Sequence, residues 1–190
     1  GHRVRGKKLG IVGMGRIGQA VARRAQAFGL DVHYHNRRPI PAPMALELKA
    51  TYWDDLDAML AHVDIVSINC PKTPQTYHMF NAERLAKMSP DSYIVNTSRG
   101  DVIDEGALAQ ALAKGQLGGA GLDVYENEPE VHPALLNLPN VILAPHIGSS
   151  THESRQEMGE KVLINIRAKI DGHQVPDRVL PPRSNFPKAS

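Results

Sequence analysis

A doubly wound α/β domain, with a parallel sheet covered by helices, is the fold class this sequence predicts. Three observations predict it. Short apolar runs alternate with helical patterns along the chain, a glycine-rich turn joins the first run to the first helix, and the helical stretches stop at glycines.

The apolar runs are LGIV (9–12), DVHYH (31–35), DIVSINC (64–70), YIVN (93–96), GAGLDV (119–124) and VILAP (141–145), with a weaker strand near Thr51. Between the first two, Ile17, Ala20, Val21, Ala25 and Phe28 share one helical face, and Gly29 is a suitable stop. Leu108 and Leu112 repeat the pattern, from an acidic first turn at Asp104 and Glu105 to a stop at Gly115. From Thr151 to Ile170, Met158, Val162, Ile166 and Ile170 recur at steps of four and read as a closing helix. The proline-punctuated stretch after Gly172 reads as a tail.

At 190 residues the chain suits one well-buried domain, so one core is expected. Hydrophobic residues at 42% and charged residues at 22% are ordinary for a globular protein. A net charge of +2 is too small to argue for a nucleic-acid or membrane partner, and Arg23 and Arg24 read as a solvated helix face. The single cysteine, Cys70, excludes an intramolecular disulfide and a metal-binding cysteine pair. No apolar run approaches the roughly 20 residues needed to span a bilayer, and GHRVRGKK has no signal-peptide core, so a cytoplasmic setting is expected. His33 and His35 share a strand face without a third ligand at usable spacing, so no metal is expected. His132 and His152 carry no assigned role.

The run LGIV leads directly into Gly13-Met14-Gly15-Arg16-Ile17-Gly18 and then the first helix. In that setting Gly13 permits the tight turn, Gly15 lets backbone approach a pyrophosphate, and Gly18 lets helix and strand pack closely, as in a Rossmann-type dinucleotide fold. The helix N-terminus directs free N–H groups at the phosphates. Asn36 follows Gly18 by 18 residues, close to where NAD-binding folds place an acidic residue on the ribose hydroxyls. A carboxylate there repels a 2′-phosphate, whereas Asn36 does not, and Arg37 and Arg38 offer forks suited to one. NADP is therefore the expected cofactor, with NAD the alternative.

Three ordered segments, NTSRGDVIDEGAL (96–108), GAGLDVYENEP (119–129) and NVILAPHIGSST (140–151), closely resemble the D-isomer-specific 2-hydroxyacid dehydrogenases. The likeness runs from the glycine-rich loop to about Asp171 and includes DIVSINCPKTPQTYHMFN; within the family the glyoxylate/hydroxypyruvate reductase branch looks nearest. The resemblance implies an active site of Arg99, Glu128 and His146, each following a predicted strand at its carboxyl end, where open α/β sheets bind ligands. The chemistry of reducing a small 2-keto acid agrees. Arg99 would hold the carboxylate and polarise the carbonyl, His146 would protonate the developing alkoxide, and Glu128 would pair with the imidazole and favour its protonated form. Hydride would pass from nicotinamide C4 to the keto carbon.

The resemblance further implies that Arg16 and Ile17 face the pyrophosphate, while Cys70, Pro71 and Thr76 border the adenosine or phosphate end. Thr97, Ser98 and Asp123 would lie by the nicotinamide, Asp123 accepting from its carboxamide, with Gly148 leaving room beside the ring. It implies a nucleotide-binding domain over 1–172, a tail over 173–190 that returns to a substrate domain built mostly from upstream sequence, and a homodimer. Without most of that second domain, these residues are expected to bind dinucleotide but catalyse poorly. The competing readings are a dinucleotide-sensing module like the corepressors that share this fold, and an NAD-dependent phosphoglycerate or lactate dehydrogenase relative.

Overall fold

The computed structural model describes residues 2–179. Its seven strands are β1 (Lys8–Val12), β2 (Asp31–His35), β3 (Ala50–Trp53), β4 (Ile65–Ile68), β5 (Tyr93–Asn96), β6 (Gly119–Leu122) and β7 (Val141–Leu143). They form one all-parallel sheet in the order β3-β2-β1-β4-β5-β6-β7. The order reverses at β1, so a crevice opens between β1 and β4 at the carboxyl edge, the place where doubly wound sheets take nucleotides. The weak strand expected near Thr51 is the edge strand β3.

Register positions the site. Trp53, His35, Val12, Ile68, Asn96, Leu122 and Leu143 lie in one row across the sheet. The next row, Gly13, Asn36, Asn69, Thr97, Asp123 and Ala144, leaves the strands at a common edge. Backbone bonds carry the ladder one step into that row: Gly13 N to His35 O at 3.0 Å, Asn69 N to Val12 O at 2.8 Å, Asp123 N to Asn96 O at 3.0 Å and Ala144 N to Leu122 O at 2.8 Å.

The α-helices among the described residues are α1 (Arg16–Ala27), α2 (Ala42–Glu47), α3 (Leu56–Leu60), α4 (Ala82–Leu85) and α5 (Glu105–Ala113), interleaved with the strands, and α6 (His152–Ile170), which follows the last strand in the chain. Alternation along the strands feeds two cores rather than the single one expected, because both faces of the sheet are covered. Leu9, Ile11, Val32 and Tyr34 pack with Ala22, Ala25 and Leu48 on one face. Val12, Val66, Ile68, Ile94 and Leu122 pack with Met59, Leu60, Phe80, Leu85 and Leu108 on the other.

The face of α1 differs from the periodicity. Gly18, Ala22 and Ala25 are buried, whereas Ile17 and Phe28 are exposed. Small residues bring the helix axis close to β1. A Cβ on Gly18 would stand 2.3 Å from the Gly13 carbonyl oxygen. Gly29, at φ +74°, ends the helix in the left-handed conformation as expected.

At the sheet's edge, β3 is tied to β2 by histidines. His33 donates from Nε2 to Asp31 at 3.1 Å and accepts from Trp53 Nε1 at 3.1 Å, while His35 Nδ1 lies 3.0 Å from the Trp53 carbonyl oxygen. His62 packs against both His33 and Trp53. Burial is the main force holding the His33 imidazole below its ordinary pKa, which favours the neutral ring that accepts from Trp53.

The chain divides into two units, Gly1–Gly148 and Ser149–Ser190. The expected domain extent of 1–172 passes through this division, and most of the expected tail lies outside the described residues. In the second unit α6 forms as expected, capped by Thr151 through Ser154 N. None of its residues is buried: Met158, Val162, Ile166 and Ile170 are exposed. The regular apolar spacing therefore reports a helix here without reporting a buried face.

The contact at Gly18 gives a direct test. Gly18→Ala must move α1 away from the turn, and a destabilisation of about 1–3 kcal/mol is expected, read as a lower denaturation midpoint in urea. A midpoint unchanged from the parent would show that the helix has room to spare.

Candidate functional site

The first row beyond the strands forms a cleft. A cavity of about 280 Å³ is lined by the Gly13–Gly15 turn, Asn36 and Arg37 on one side and by Asn69, Cys70, Pro71 and Thr76 on the other. Gly13 has φ +97°, and a Cβ there would stand 2.7 Å from the Cys70 amide nitrogen. Only glycine lets the β1 turn pass this close to the end of β4. Gly15 faces open space at the start of α1, whose first turn carries no acidic residue to repel an anion. Thr76 bonds the Pro71 carbonyl at 2.7 Å and receives Thr73 N at 2.8 Å, which fixes the opposite wall. Cys70 is buried, and desolvation pushes its thiol up, so it serves as wall rather than nucleophile.

Beyond this cavity Asn36, Arg37 and Arg38 line an open space of about 490 Å³. Asn36 donates from Nδ2 to the Arg38 carbonyl at 3.1 Å, which shapes the loop. Neither guanidinium has a hydrogen bond or ion pair among the described residues. Arg37 reaches both cavities and Arg38 only the outer one.

On the other side of the crevice Ile17, Asn69, Cys70, Pro71, Lys72, Thr97, Ser98 and Arg99 surround about 430 Å³. The exposed Ile17 is thus a wall of the site rather than a member of the core. Asn69 donates to Ser67 O and Oγ at 3.2 and 2.9 Å, and its buried Oδ1 has no partner. A ligand bearing hydroxyl groups would supply one. Asn96 receives Ser98 N and Oγ and donates to the Arg99 carbonyl at 2.9 Å, so the turn that presents Arg99 is held by a residue of β5.

His146 and Glu128 meet as expected. Glu128 Oε2 accepts from His146 Nδ1 at 2.8 Å, which fixes the proton on Nδ1 and leaves Nε2 without a hydrogen bond among the described residues. His146 has φ +54°, a conformation costly for a residue with a Cβ, and such strain concentrates at working sites. The hydrogen bond from His146 is the chief cause holding the Glu128 carboxyl below its ordinary range, with the Arg99 charge contributing in the same direction. Asp123 is buried and accepts from Ile147 N and Gly148 N, each at 2.8 Å. Its expected partner was the nicotinamide carboxamide. Here it also anchors the loop that carries His146, with one lone pair remaining on each oxygen.

A second layer was not legible in the motifs. Glu105, read as part of an acidic first turn, is only 4% exposed. Its Oε1 accepts from Glu126 N at 2.9 Å, while Glu126 Oε1 accepts from Glu105 N at 2.9 Å. Glu126, Glu105 and His78 were not singled out for such a role. Lys72, paired with Asp101, also lies beside Arg99 without having been singled out.

A seven-stranded parallel sheet in this order, with a glycine-lined crevice at its reversal point, defines the class: a doubly wound dinucleotide-binding domain. The chain belongs to the D-isomer specific 2-hydroxyacid dehydrogenases, whose NAD binding domain matches residues 1–148. It is 45% identical over 179 residues to the glyoxylate reductase of Thermococcus litoralis, covering 94% of this chain and 54% of that one. Its structure is similar to that of a glyoxylate reductase from Paecilomyes thermophila, with a TM-score of 0.86 and 48% identity, covering 93% of this chain and 54% of the other. A NADPH-dependent glyoxylate/hydroxypyruvate reductase from Sinorhizobium meliloti, solved with NADP and malonate, gives a TM-score of 0.86 at 40% identity, covering 92% and 53%. The chain spans about half the length of these relatives. No helix among the described residues is long and apolar enough to cross a membrane.

Glu105 supplies a pH-dependent test of the second layer. Desolvation is the largest cause raising its carboxyl above the ordinary range. The folded state therefore holds that proton more tightly than the unfolded one. The associated stability is complete below the ordinary glutamate pKa and is lost as pH rises through the folded value. Glu105→Gln keeps an acceptor for Glu126 N–H and removes the titration. Its denaturation midpoint should rise relative to the parent between acid and neutral pH, and a difference independent of pH would show that Glu105 titrates as an ordinary glutamate.

Proposed function

We propose that this chain is the dinucleotide half of an enzyme that moves a hydride between NADP(H) and a small 2-keto or 2-hydroxy acid of the glyoxylate or hydroxypyruvate kind. The observation that carries the reading is the Glu128–His146 pair, which presents a free Nε2 at the same sheet edge as Arg99.

The residues fit the cofactor. The Gly13–Gly18 turn would take the pyrophosphate, Cys70, Pro71 and Thr76 the adenosine side, and Thr97, Ser98, Asp123 and Gly148 the nicotinamide side. A bound reduced nicotinamide supplies the hydride. Arg99 would hold the substrate carboxylate and polarise the carbonyl, since its planar fork matches a carboxylate and stays charged. His146 would give the Nε2 proton to the oxygen as negative charge develops there. Ionised Glu128 stabilises the positive ring that performs this step and, in the reverse direction, the positive ring that results. General acid catalysis of this kind contributes about 10²- to 10⁴-fold.

NADP is preferred because the end of β2 offers no carboxylate and two guanidinium groups unpaired among the described residues; the NADP-bound relative supports this choice. A cytoplasmic homodimer belongs to the same proposal.

Two measurements test it. The chain should bind NADPH at least about tenfold more tightly than NADH, the worth of roughly one charge-assisted contact, and Arg37→Ser should remove more of that preference than Arg38→Ser. Equal affinities would defeat the arginine reading. In the full-length protein, His146→Gln should lower glyoxylate-dependent NADPH oxidation by about 10²-fold or more while NADPH binding stays within about twofold. Near-parental turnover would remove His146 as the acid.

A further inference from the structure

We infer that Glu126 is a positioning residue for the Glu128–His146 pair: its carboxylate fastens the loop after β6 to α5 and to His78, and so sets where Glu128 meets the imidazole. This deepens the hydroxyacid reading above and rests on it.

The fastening has three parts. Glu126 Oε1 accepts the free N–H of Glu105, the first residue of α5, at 2.9 Å. Its Oε2 accepts from His78 Nε2 at 3.1 Å. Its own N–H donates to Glu105 Oε1 at 2.9 Å. The start of a helix leaves several N–H groups without intrahelical partners and carries the positive end of the helix dipole. Asp104 satisfies one of them, at Ala107, and Glu126 satisfies another from a distant loop. The titratable groups against Glu126 are therefore Glu105 on α5 and His78 on the loop after β4, with His132 facing Glu105. Repulsion between the two glutamates is offset by the amides each receives and by His78, which is held in the left-handed region at φ +45° with its N–H on the Asp101 carbonyl at 2.8 Å.

Glu128 has few supports of its own. Apart from His146, its hydrogen-bond partner among the described residues is Tyr125 N, which donates to Oε1 at 3.1 Å. Tyr125 and Glu126 thus define its placement. The same backbone abuts the turn of the substrate-binding arginine: a Cβ on Gly100 would fall 1.9 Å from the Tyr125 carbonyl carbon and 2.4 Å from Glu126 N. Releasing Glu126 lets this loop lift from Gly100, and Glu128 goes with it. A residue needed only for stability would leave the electrostatics of Glu128 intact in the folded chain.

The test reads that electrostatics. ¹³C-detected titration of the Glu128 carboxyl should give, in the parent, a midpoint below that of an ordinary glutamate. In Glu126→Ala, with folding checked by circular dichroism, it should return to the ordinary glutamate range. In Glu126→Gln, which keeps the side chain's size and one acceptor, it should move part of the way, and this variant decides the matter alone if the alanine variant does not fold. A parental Glu128 midpoint in folded Glu126→Gln overturns the inference. In the full-length protein Glu126→Ala, or Glu126→Gln in its place, should lower kcat by about tenfold or more with NADPH affinity unchanged, the mark of misplaced groups rather than lost binding. If the titration behaves as expected but the parent reduces no 2-keto acid, the positioning role stands and the hydroxyacid reading falls.

Discussion

The site depends on backbone passing closer to backbone than side chains allow. Three glycines set this constraint at the carboxyl edge of the sheet. Gly13 passes the Cys70 amide, Gly18 seats α1 on the Gly13 carbonyl, and Gly100 lies under the Tyr125–Glu126 peptide. The first two close the β1–α1 turn against β4 and form one side of the crevice. The third brings the Arg99 turn against the loop that carries Glu128. Because a parallel sheet places all these turns at one edge, close approach at three points joins binding groups and reacting groups into one cleft.

Electrostatics divides the same edge by task. At the end of β2, two guanidinium groups stand without partners among the described residues, as the proposed negative ligand requires. Near the ends of β6 and β7, charges are already matched: Glu128 with His146, Asp123 with two amides, and Glu126 with an amide and His78. Unmatched charge suits binding, since a ligand completes it. Matched charge suits chemistry, since each group is held in place before the substrate arrives.

The sequence made the order of elements legible because strand and helix patterns differ in period and the glycines that stop helices are explicit. The glycine turn and the proposed Arg99, Glu128 and His146 were legible because each lies in a short contiguous motif. What escaped was whatever depends on residues brought together from distant segments. Glu105 read only as part of an acidic helix start, since its sequence neighbours are those of a capped helix and only the fold supplies the Glu126 amide that lets it be buried. The helical face that included Ile17 and Phe28 misplaced the contact with the sheet, because small residues at 18, 22 and 25 make it, and Ile17 lines the cleft, the side on which the family resemblance also set it. The regular spacing of α6 gave its helicity but could not give its burial, because periodicity describes one helix and burial needs a partner.

The central claim is that one row of residues, just beyond the strands, receives a dinucleotide. An NMR titration of the ¹⁵N-labelled chain with NADPH tests it most directly. Saturable shifts are expected at Gly13–Gly18, Asn36–Arg38, Asn69–Thr76, Thr97–Arg99 and Asp123, with the amino ends of the strands unchanged. Shifts confined to other surfaces, or no saturation at millimolar NADPH, would contradict the account.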